Sequence, residues 1–191
     1  MSYVEIYPFD KNGNCMSPIC VRNAFCGAFA VWRRMEAKYL PLYRPEYIDP
    51  AMTDEEVRAK YGDLTRLAAW NPNEAMRDVY DLFNREDVSL TDRIVLGTTF
   101  DDVLVKRENF LRVVEAFESF DGDTNLKEQA AVIRKFINDP DITAIGWNAT
   151  SVNCDTWANA GCSAQDETEG APYNYMTQDK HWWLFDELPE K

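Results

Sequence analysis

Apolar and polar residues alternate near the start of the chain, which is the pattern of a half-buried strand. Residues 2–9 alternate in this way and predict the first strand. Asn12 and Gly13 follow, and because both residues tolerate positive φ, they predict a hairpin turn. The return strand would run over residues 15–21. Pro18 lacks the N–H that a β-ladder needs, so it places this strand at a sheet edge or interrupts it.

The middle of the chain carries apolar residues at helical spacing, with capping residues at several of the starts. Asn23 is the predicted N-cap of the first helix, and Pro41 would end that helix. Thr53 and Glu56 have the spacing of a capping box, which marks the start of another helix. The predicted helices cover residues 24–40, 53–61, 63–70, 71–84, 106–120 and 126–138.

The last part of the chain predicts strands again. Residues 142–150 alternate, and residues 181–185, with the sequence His-Trp-Trp-Leu-Phe, have the composition of a strand. An apolar run within residues 92–99 predicts one more short strand. Residues 151–172 are rich in Asn, Ser, Thr, Gly and acids, so we expect a long loop there, and loops of this length are often functional.

This order of elements predicts a single α+β domain. An N-terminal hairpin over about residues 2–21 would be followed by a helical region over about 22–138 and by C-terminal strands over about 141–188. We expect the N- and C-terminal segments to form one antiparallel sheet, with the helices of the middle region packed on it.

The charge of the chain excludes some classes of partner. Asp and Glu number 33 against 20 Lys and Arg, which gives a net charge of -13. Proteins that bind nucleic acid through its backbone need a basic surface, so we expect no direct nucleic-acid binding. Anionic membrane surfaces are disfavoured for the same reason, and no apolar run approaches the ~18 residues of a membrane span.

The cysteines and the N-terminus favour a cytoplasmic location. The first residues, from Met1, have neither the basic start nor the apolar core of a secretion signal. The chain has five cysteines, and an odd number without such a signal favours reduced thiols over a disulfide framework.

One pair of residues could carry nucleophilic chemistry. Cys26 would lie in the first turn of the helix that Asn23 caps, where backbone N–H groups and the helix dipole favour a thiolate. His181 is the only histidine in the chain, so it would have to act as the base. A cysteine at a helix start followed by a late histidine is similar to the layout of papain-like and NlpC-type cysteine hydrolases. The sequence around Cys26, Phe-Cys-Gly-Ala-Phe, matches no full signature of such a family.

A second arrangement of cysteines allows a zinc site. Zinc binds four thiolates in tetrahedral geometry, and each pair of ligands is usually two to four residues apart. The spacing between Cys154 and Cys162 is wider than in a standard zinc knuckle. Free thiols packed as small apolar groups are the simpler interpretation, so we predict no cofactor and keep zinc as the alternative. The four candidate ligands are Cys15, Cys20, Cys154 and Cys162.

Acids and aromatic residues are interleaved in the C-terminal quarter of the chain. Aromatic side chains anchor protein interfaces, and acids around them steer a basic partner. We therefore predict that this segment binds a protein with a basic surface. The candidate contact residues are Trp147, Asp155, Trp157, Glu167, Glu169, Trp182, Trp183 and Asp186.

These observations favour a non-enzymatic acidic interaction protein. A phage or mobile-element inhibitor that binds a basic host protein or mimics nucleic acid is one form of this hypothesis. The chain has one net negative charge for about every fifteen residues, whereas duplex DNA carries one charge per about 1.7 Å, so a mimic would need its acids on one face. The candidate acids are Glu74, Asp78, Asp81, Asp101, Asp102, Glu115 and Glu118. Four arginines dilute that face: Arg77, Arg85, Arg107 and Arg112. The alternatives are a cysteine hydrolase that uses Cys26 and His181, and an adaptor domain stabilised by zinc.

Overall fold

A computed structural model gives the architecture of the chain. It describes residues 3–22, 27–66, 72–122, 124–149, 157 and 172–188, with the backbone alone for residues 72–75. Within this part of the chain, strands form one sheet and helices pack against it. The predicted α+β class is therefore confirmed.

The sheet has five strands in the order β2-β1-β4-β3-β5. The strands are β1 (Tyr3–Asp10), β2 (Ile19–Arg22), β3 (Val103–Lys106), β4 (Ile142–Asn148) and β5 (Trp182–Trp183). Antiparallel ladders join β1 to β2 and β4, and β4 to β3, whereas β3 and β5 pair in parallel. The sheet is therefore mixed. One of its strands, β3, comes from the middle of the chain, where the sequence predicted helices and a strand at a different position, within residues 92–99.

The N-terminal hairpin forms as predicted, with its second strand interrupted. Gly13 takes a φ of 82° in the turn, and its backbone N–H donates to the carbonyl of Asp10 at 2.9 Å. Cys15 forms an isolated bridge with Phe9, and regular pairing resumes only at Ile19. The predicted effect of proline on this strand is confirmed, because β2 lies at the sheet edge and its ladder with β1 is interrupted between Cys15 and Ile19.

The helices agree with the prediction in most places. They are α1 (Ala28–Tyr39), α2 (Asp54–Tyr61), α3 (Pro72–Asp81), α4 (Leu90–Gly97), α5 (Phe110–Ser119), α6 (Leu126–Ile137) and α7 (Leu184–Glu187). The capping box between Thr53 and Glu56 forms. In the predicted helix over 63–70, residues 63–65 are not helical, and residues 67–70 lie outside the described part. Asn23 also lies outside it, and α1 begins after Gly27. No described helix is both long and apolar enough to cross a bilayer.

The strand predicted over residues 92–99 is wrong, because this segment forms helix α4. The hydroxyl of Ser89 caps the helix by accepting the backbone N–H of Asp92 at 3.1 Å. Almost the whole helix is buried, and the short apolar run Ile94-Val95-Leu96 within it is also the pattern of a buried strand. The Asp92 carboxylate accepts hydrogen bonds from Lys38 at 2.6 Å, from Ser89 at 2.8 Å and from Tyr39.

The two faces of the sheet are covered in different ways. The helices and the larger core lie on one face. A smaller aromatic core lies on the other face, built around Phe9, Trp157 and Tyr173, all of which are almost fully buried. The segment predicted as a strand over 181–185 is a strand only at Trp182–Trp183, and α7 begins at Leu184. The short strand β5 therefore ties the C-terminal segment to the sheet beside β3.

Candidate functional site

The parallel pairing of β3 with β5 brings two chain segments together at one edge of the sheet. Val103 lies opposite Trp182 in the ladder, so the residues that precede each strand are neighbours. The backbone N–H of Trp182 donates to the carbonyl of Asp102, and its indole N–H donates to the carbonyl of Asp101, each at 3.0 Å. Asp102 has a φ of 59°, a left-handed conformation that aspartate tolerates better than most residues.

An open cavity of about 360 Å³ lies beside this junction. Its described lining residues are Trp32, Tyr80, Thr99, Phe100 and Asp101, and we call it the aromatic cavity. The Tyr80 ring stands nearly perpendicular to the other two rings, with its centroid 5.9 Å from that of Trp32 and 5.3 Å from that of Phe100. Three rings and one carboxylate therefore surround the same space.

Hydrogen bonds fix the inner wall of the aromatic cavity. The indole N–H of Trp32, on α1, donates to the Thr99 hydroxyl at 2.8 Å. The same hydroxyl donates to the carbonyl of Leu96, in α4, at 2.6 Å. Both polar groups of this wall are thus bonded within the chain, and α1 is tied to the end of α4. Behind the wall, the Phe100 ring packs on Phe83 and Trp182, with centroids 5.6 and 6.1 Å away.

Acidic side chains lie at and beside the open aromatic cavity. Burial raises the pKa of the Tyr80 hydroxyl, and the negative charge of Asp101 raises it further. Burial also raises the pKa of Asp102, against the opposing effect of Lys180. The Lys180 ammonium lies 3.6 Å from the Asp102 carboxylate. The exposed Asp101 carboxylate gives this opening a negative charge that attracts a cation.

A second aromatic group surrounds His181 on the opposite side of β5. The His181 ring lies 5.0 to 6.2 Å, between centroids, from the rings of Tyr173, Tyr175 and Trp183. Its Nδ1 atom is 2.8 Å from the Tyr173 hydroxyl, and that hydroxyl donates to the carbonyl of Gln178 at 3.1 Å. Burial lowers the pKa of His181, although nearby acids oppose the shift. The imidazole is therefore held as a neutral, hydrogen-bonded member of an aromatic cluster near neutral pH.

The structure describes only one residue of the predicted catalytic pair, His181. Cys26 lies outside the described residues, so its pairing with His181 stays a prediction. The position of His181 against three aromatic rings corresponds to a packed side chain. Its closest polar contact is a phenol hydroxyl, which does not provide the carboxylate or amide that orients the base in a hydrolase.

The predicted zinc ligands are described only in part as well. Cys154 and Cys162 lie outside the described residues. Cys15 is half-buried, and Cys20 is exposed in the edge strand β2. Burial and the charge of Glu5 raise the pKa of the Cys20 thiol, which disfavours the thiolate that zinc requires. The described residues contain no cluster of three or more side chains that could hold a metal.

Two of the predicted contact residues are buried, which corrects their placement at the surface. Trp147 is 2% exposed and Trp157 is 0% exposed. Their indole N–H groups are bonded inside the protein, from Trp147 to the Gln129 side chain at 3.2 Å and from Trp157 to the carbonyl of Trp147 at 3.0 Å. Because a buried indole needs such a partner, both tryptophans belong to the core.

The other predicted contact residues have mixed positions. Trp182 and Trp183 are half-buried in β5. Asp186 is exposed and forms an ion pair with Lys106 at 3.0 Å. The three remaining acids, Asp155, Glu167 and Glu169, lie outside the described residues. Of the candidates that the structure describes, Trp182 alone lies next to the aromatic cavity, where it packs behind Phe100.

Sequence reasoning gave no functional role to four of the described residues that line the aromatic cavity, and it named the fifth, Asp101, only as one acid of a candidate acidic face. Trp32 and Tyr80 lie within the helices predicted over residues 24–40 and 71–84, and neither they nor Phe100 stood out as candidate functional residues. One signal was present: an aromatic residue followed by two acids, Phe100-Asp101-Asp102, separated by three residues from an apolar run that ends at Leu96. Comparisons with protein-family models, with curated proteins and with solved structures find no match to this chain. The function is therefore inferred from this geometry.

Proposed function

We propose that this chain is a non-enzymatic interaction protein that binds a partner protein with a basic surface. The observation that carries the proposal is the aromatic cavity, in which three aromatic rings and the Asp101 carboxylate surround one open space. Aromatic residues supply binding energy at interfaces, and acids beside them select a basic partner and speed its approach.

The charge of the chain supports the same proposal. Its net charge of -13 attracts basic proteins at long range, and salt weakens this attraction because ions screen it. The proposed contact surface includes the aromatic cavity together with the neighbouring residues Asp102 and Trp182. This differs from the surface proposed from the sequence, since Trp147 and Trp157 are not part of it.

Binding of a protein is favoured over mimicry of nucleic acid as the form of this activity. In the acidic face suggested by the sequence, Asp78, Glu118 and Asp102 pair with basic side chains of the chain itself at 3.2, 2.8 and 3.6 Å. Such internal pairs reduce the charge that a row of phosphates would have to match. An inhibitor of a host enzyme, encoded by a phage or mobile element, remains one form of the proposal.

The proposal is tested by affinity capture from a lysate of the native host with tagged wild-type protein at low and at high salt. We expect a stoichiometric partner with a basic surface that is released at high salt, and binding should persist when the two proteins are purified and mixed. The absence of a partner at both salt concentrations would contradict the proposal.

Cys26→Ala separates this proposal from the cysteine-hydrolase alternative. An interaction protein should capture the same partner with and without the thiol, and Cys26 should not react with an alkylating agent at neutral pH faster than the exposed Cys20 does. Loss of the biological effect in Cys26→Ala, together with rapid alkylation of that one thiol in the wild-type protein, would favour the hydrolase instead.

A further inference from the structure

The aromatic cavity has the dimensions of a site for a single side chain. Its volume of about 360 Å³ lies near the lower end of the range of small-ligand sites, about 300–1,000 Å³. Cations bind over aromatic rings within about 6 Å of the ring centroid. Trp32, Tyr80 and Phe100 all line the cavity. The ring centroids are 5.9 Å apart for Trp32 and Tyr80 and 5.3 Å apart for Tyr80 and Phe100, so a cation in the cavity can lie near more than one ring.

The charge at the aromatic cavity selects a positive group. Asp101 lines the cavity, and its charge is close enough to raise the pKa of Tyr80. An ionised carboxylate has about four acceptor positions, so Asp101 can bind a ligand in addition to the contacts it makes within the chain. An anionic ligand would meet the repulsion of this carboxylate and of the net negative charge of the protein.

The polarity of the wall distinguishes between types of cation. The indole of Trp32 and the hydroxyl of Thr99 are bonded to each other, and the hydroxyl proton is bonded to Leu96. An unmodified ammonium is compact and strongly hydrated, and it would lose several hydrogen bonds against such a wall. A guanidinium is more weakly hydrated, stacks on aromatic rings, and directs its N–H groups from its edge toward a carboxylate in a two-point contact.

The geometry points to an arginine side chain of the basic partner as the occupant of the aromatic cavity, stacked on Tyr80 or its neighbouring rings and paired with Asp101. This inference rests on the proposed function, because it names the group of the partner that the surface recognises. In this inference the aromatic rings stack on the guanidinium, and the Asp101 carboxylate selects a positively charged side chain.

Two peptides that differ only in the charged group of one side chain test this inference. One contains a single arginine between glycines, and the other contains citrulline, which has the same shape and no charge. Binding is followed through the indole N–H signals of Trp32 and Trp182, which are assigned with Trp32→Phe and Trp182→Phe. We expect the arginine peptide to shift both signals in a saturable way and to bind about tenfold or more tightly than the citrulline peptide.

Variants of the lining residues provide the second part of the test. Asp101→Asn should weaken binding of the arginine peptide about tenfold, because it removes the negative charge of the carboxylate while the side chain keeps nearly the same shape. Tyr80→Ala should weaken binding to a similar degree, whereas Tyr80→Phe should retain most of it. Glu46→Gln is the matched control for the loss of one negative charge, since Glu46 is exposed and does not line the cavity. A circular dichroism spectrum of each variant verifies that it is folded.

Several results would overturn the inference. Equal binding of the arginine and citrulline peptides would show apolar recognition without a role for charge. Tighter binding of a trimethyllysine peptide than of the arginine peptide would assign the cavity to alkylated ammonium groups. Absence of any saturable shift with the arginine peptide would exclude the cavity as an arginine site.

The test also separates failure of this inference from failure of the proposed function. If the native partner is captured equally well by the wild type and by Asp101→Asn while the peptide does not bind, the proposed function stands and the arginine site is refuted. If the arginine peptide binds as expected but no basic partner is captured at either salt concentration, the proposed function is refuted and the cavity is a guanidinium site for a smaller ligand.

Discussion

The Thr99 hydroxyl connects α1 to the end of α4, and its removal is expected to loosen the wall of the aromatic cavity. Thr99→Val keeps the approximate shape of the side chain but removes the acceptor for the Trp32 indole and the donor to Leu96. The preceding residue offers a matched control. Thr98 is also buried, and its hydroxyl donates to the carbonyl of Val95 at 2.8 Å.

The difference between the two variants isolates the bond to the indole. Each substitution removes one hydroxyl-to-carbonyl hydrogen bond, which contributes about 0.5–1.5 kcal/mol. Thr99→Val also leaves the indole N–H of Trp32 without its partner, and an unpaired buried donor costs about 1–3 kcal/mol. Because Trp32 is only partly buried, we expect the low end of that range, so Thr99→Val should destabilise the fold by about 1 kcal/mol more than Thr98→Val.

Urea unfolding measures this difference in the free energy of unfolding. In thermal unfolding, the additional loss of about 1 kcal/mol in Thr99→Val should lower Tm by about 2–4 °C for a chain of this size. A double-mutant cycle with Trp32→Phe should give a coupling free energy of about 1 kcal/mol between Trp32 and Thr99. Equal destabilisation by the two valine variants within about 0.5 kcal/mol, together with no coupling in the cycle, would refute the claim that this bond fixes the wall.

Three further predictions concern stability and are each measured by urea unfolding. In Gly146→Ala the new methyl group would lie 2.8 Å from a Leu104 methyl carbon, so we expect a loss of about 1–3 kcal/mol; a neutral effect would show that β3 yields easily. Glu36→Gln removes one of the two carboxylates that pair with the buried Arg66 guanidinium, at 2.9 Å, and leaves the other, Asp78, at 3.2 Å; we expect a loss of about 1–3 kcal/mol, and a loss of about 3–5 kcal/mol, as for a fully broken buried pair, would show that Asp78 does not compensate. Hydrogen bonds lower the pKa of Asp92 although burial raises it, so its contribution is present above its unfolded pKa of about 3.9 and is lost as the pH falls through the folded value. The stability difference between wild type and Asp92→Asn should therefore shrink on acidification below about pH 4, and a difference that grows there would contradict the sign of the shift.

The sequence predicts those elements whose local signals agree with their environment. The hairpin at Asn12 and Gly13, the capping box of α2 and the amphipathic helices α5 and α6 all form, because turn chemistry and periodicity are sufficient to specify them. Helix α4 is mistaken for a strand since burial on all sides removes the polar face that would reveal the helical period. The strand β3 has only four residues, Val103–Lys106, and it runs directly into the helical pattern of the next segment.

The candidate site is less predictable than the fold because distant segments contribute to it. Trp32, Tyr80 and Phe100 come from α1, α3 and the residues after α4, and their proximity depends on tertiary packing. Dependence on tertiary packing also explains why the sequence-based prediction wrongly placed Trp147 and Trp157 at the surface. Their spacing gives no sign that the indole N–H groups would find partners inside the protein, at Gln129 and at a backbone carbonyl.

The most direct test of the aromatic cavity as the contact surface for the partner is the affinity of the purified native partner for three proteins at one salt concentration. These are the wild type, Asp101→Asn and Glu46→Gln. If the aromatic cavity is the contact surface, Asp101→Asn should weaken binding about tenfold or more, and Glu46→Gln should leave the affinity within about twofold of the wild type. Equal affinities for Asp101→Asn and Glu46→Gln would contradict the central role of the aromatic cavity.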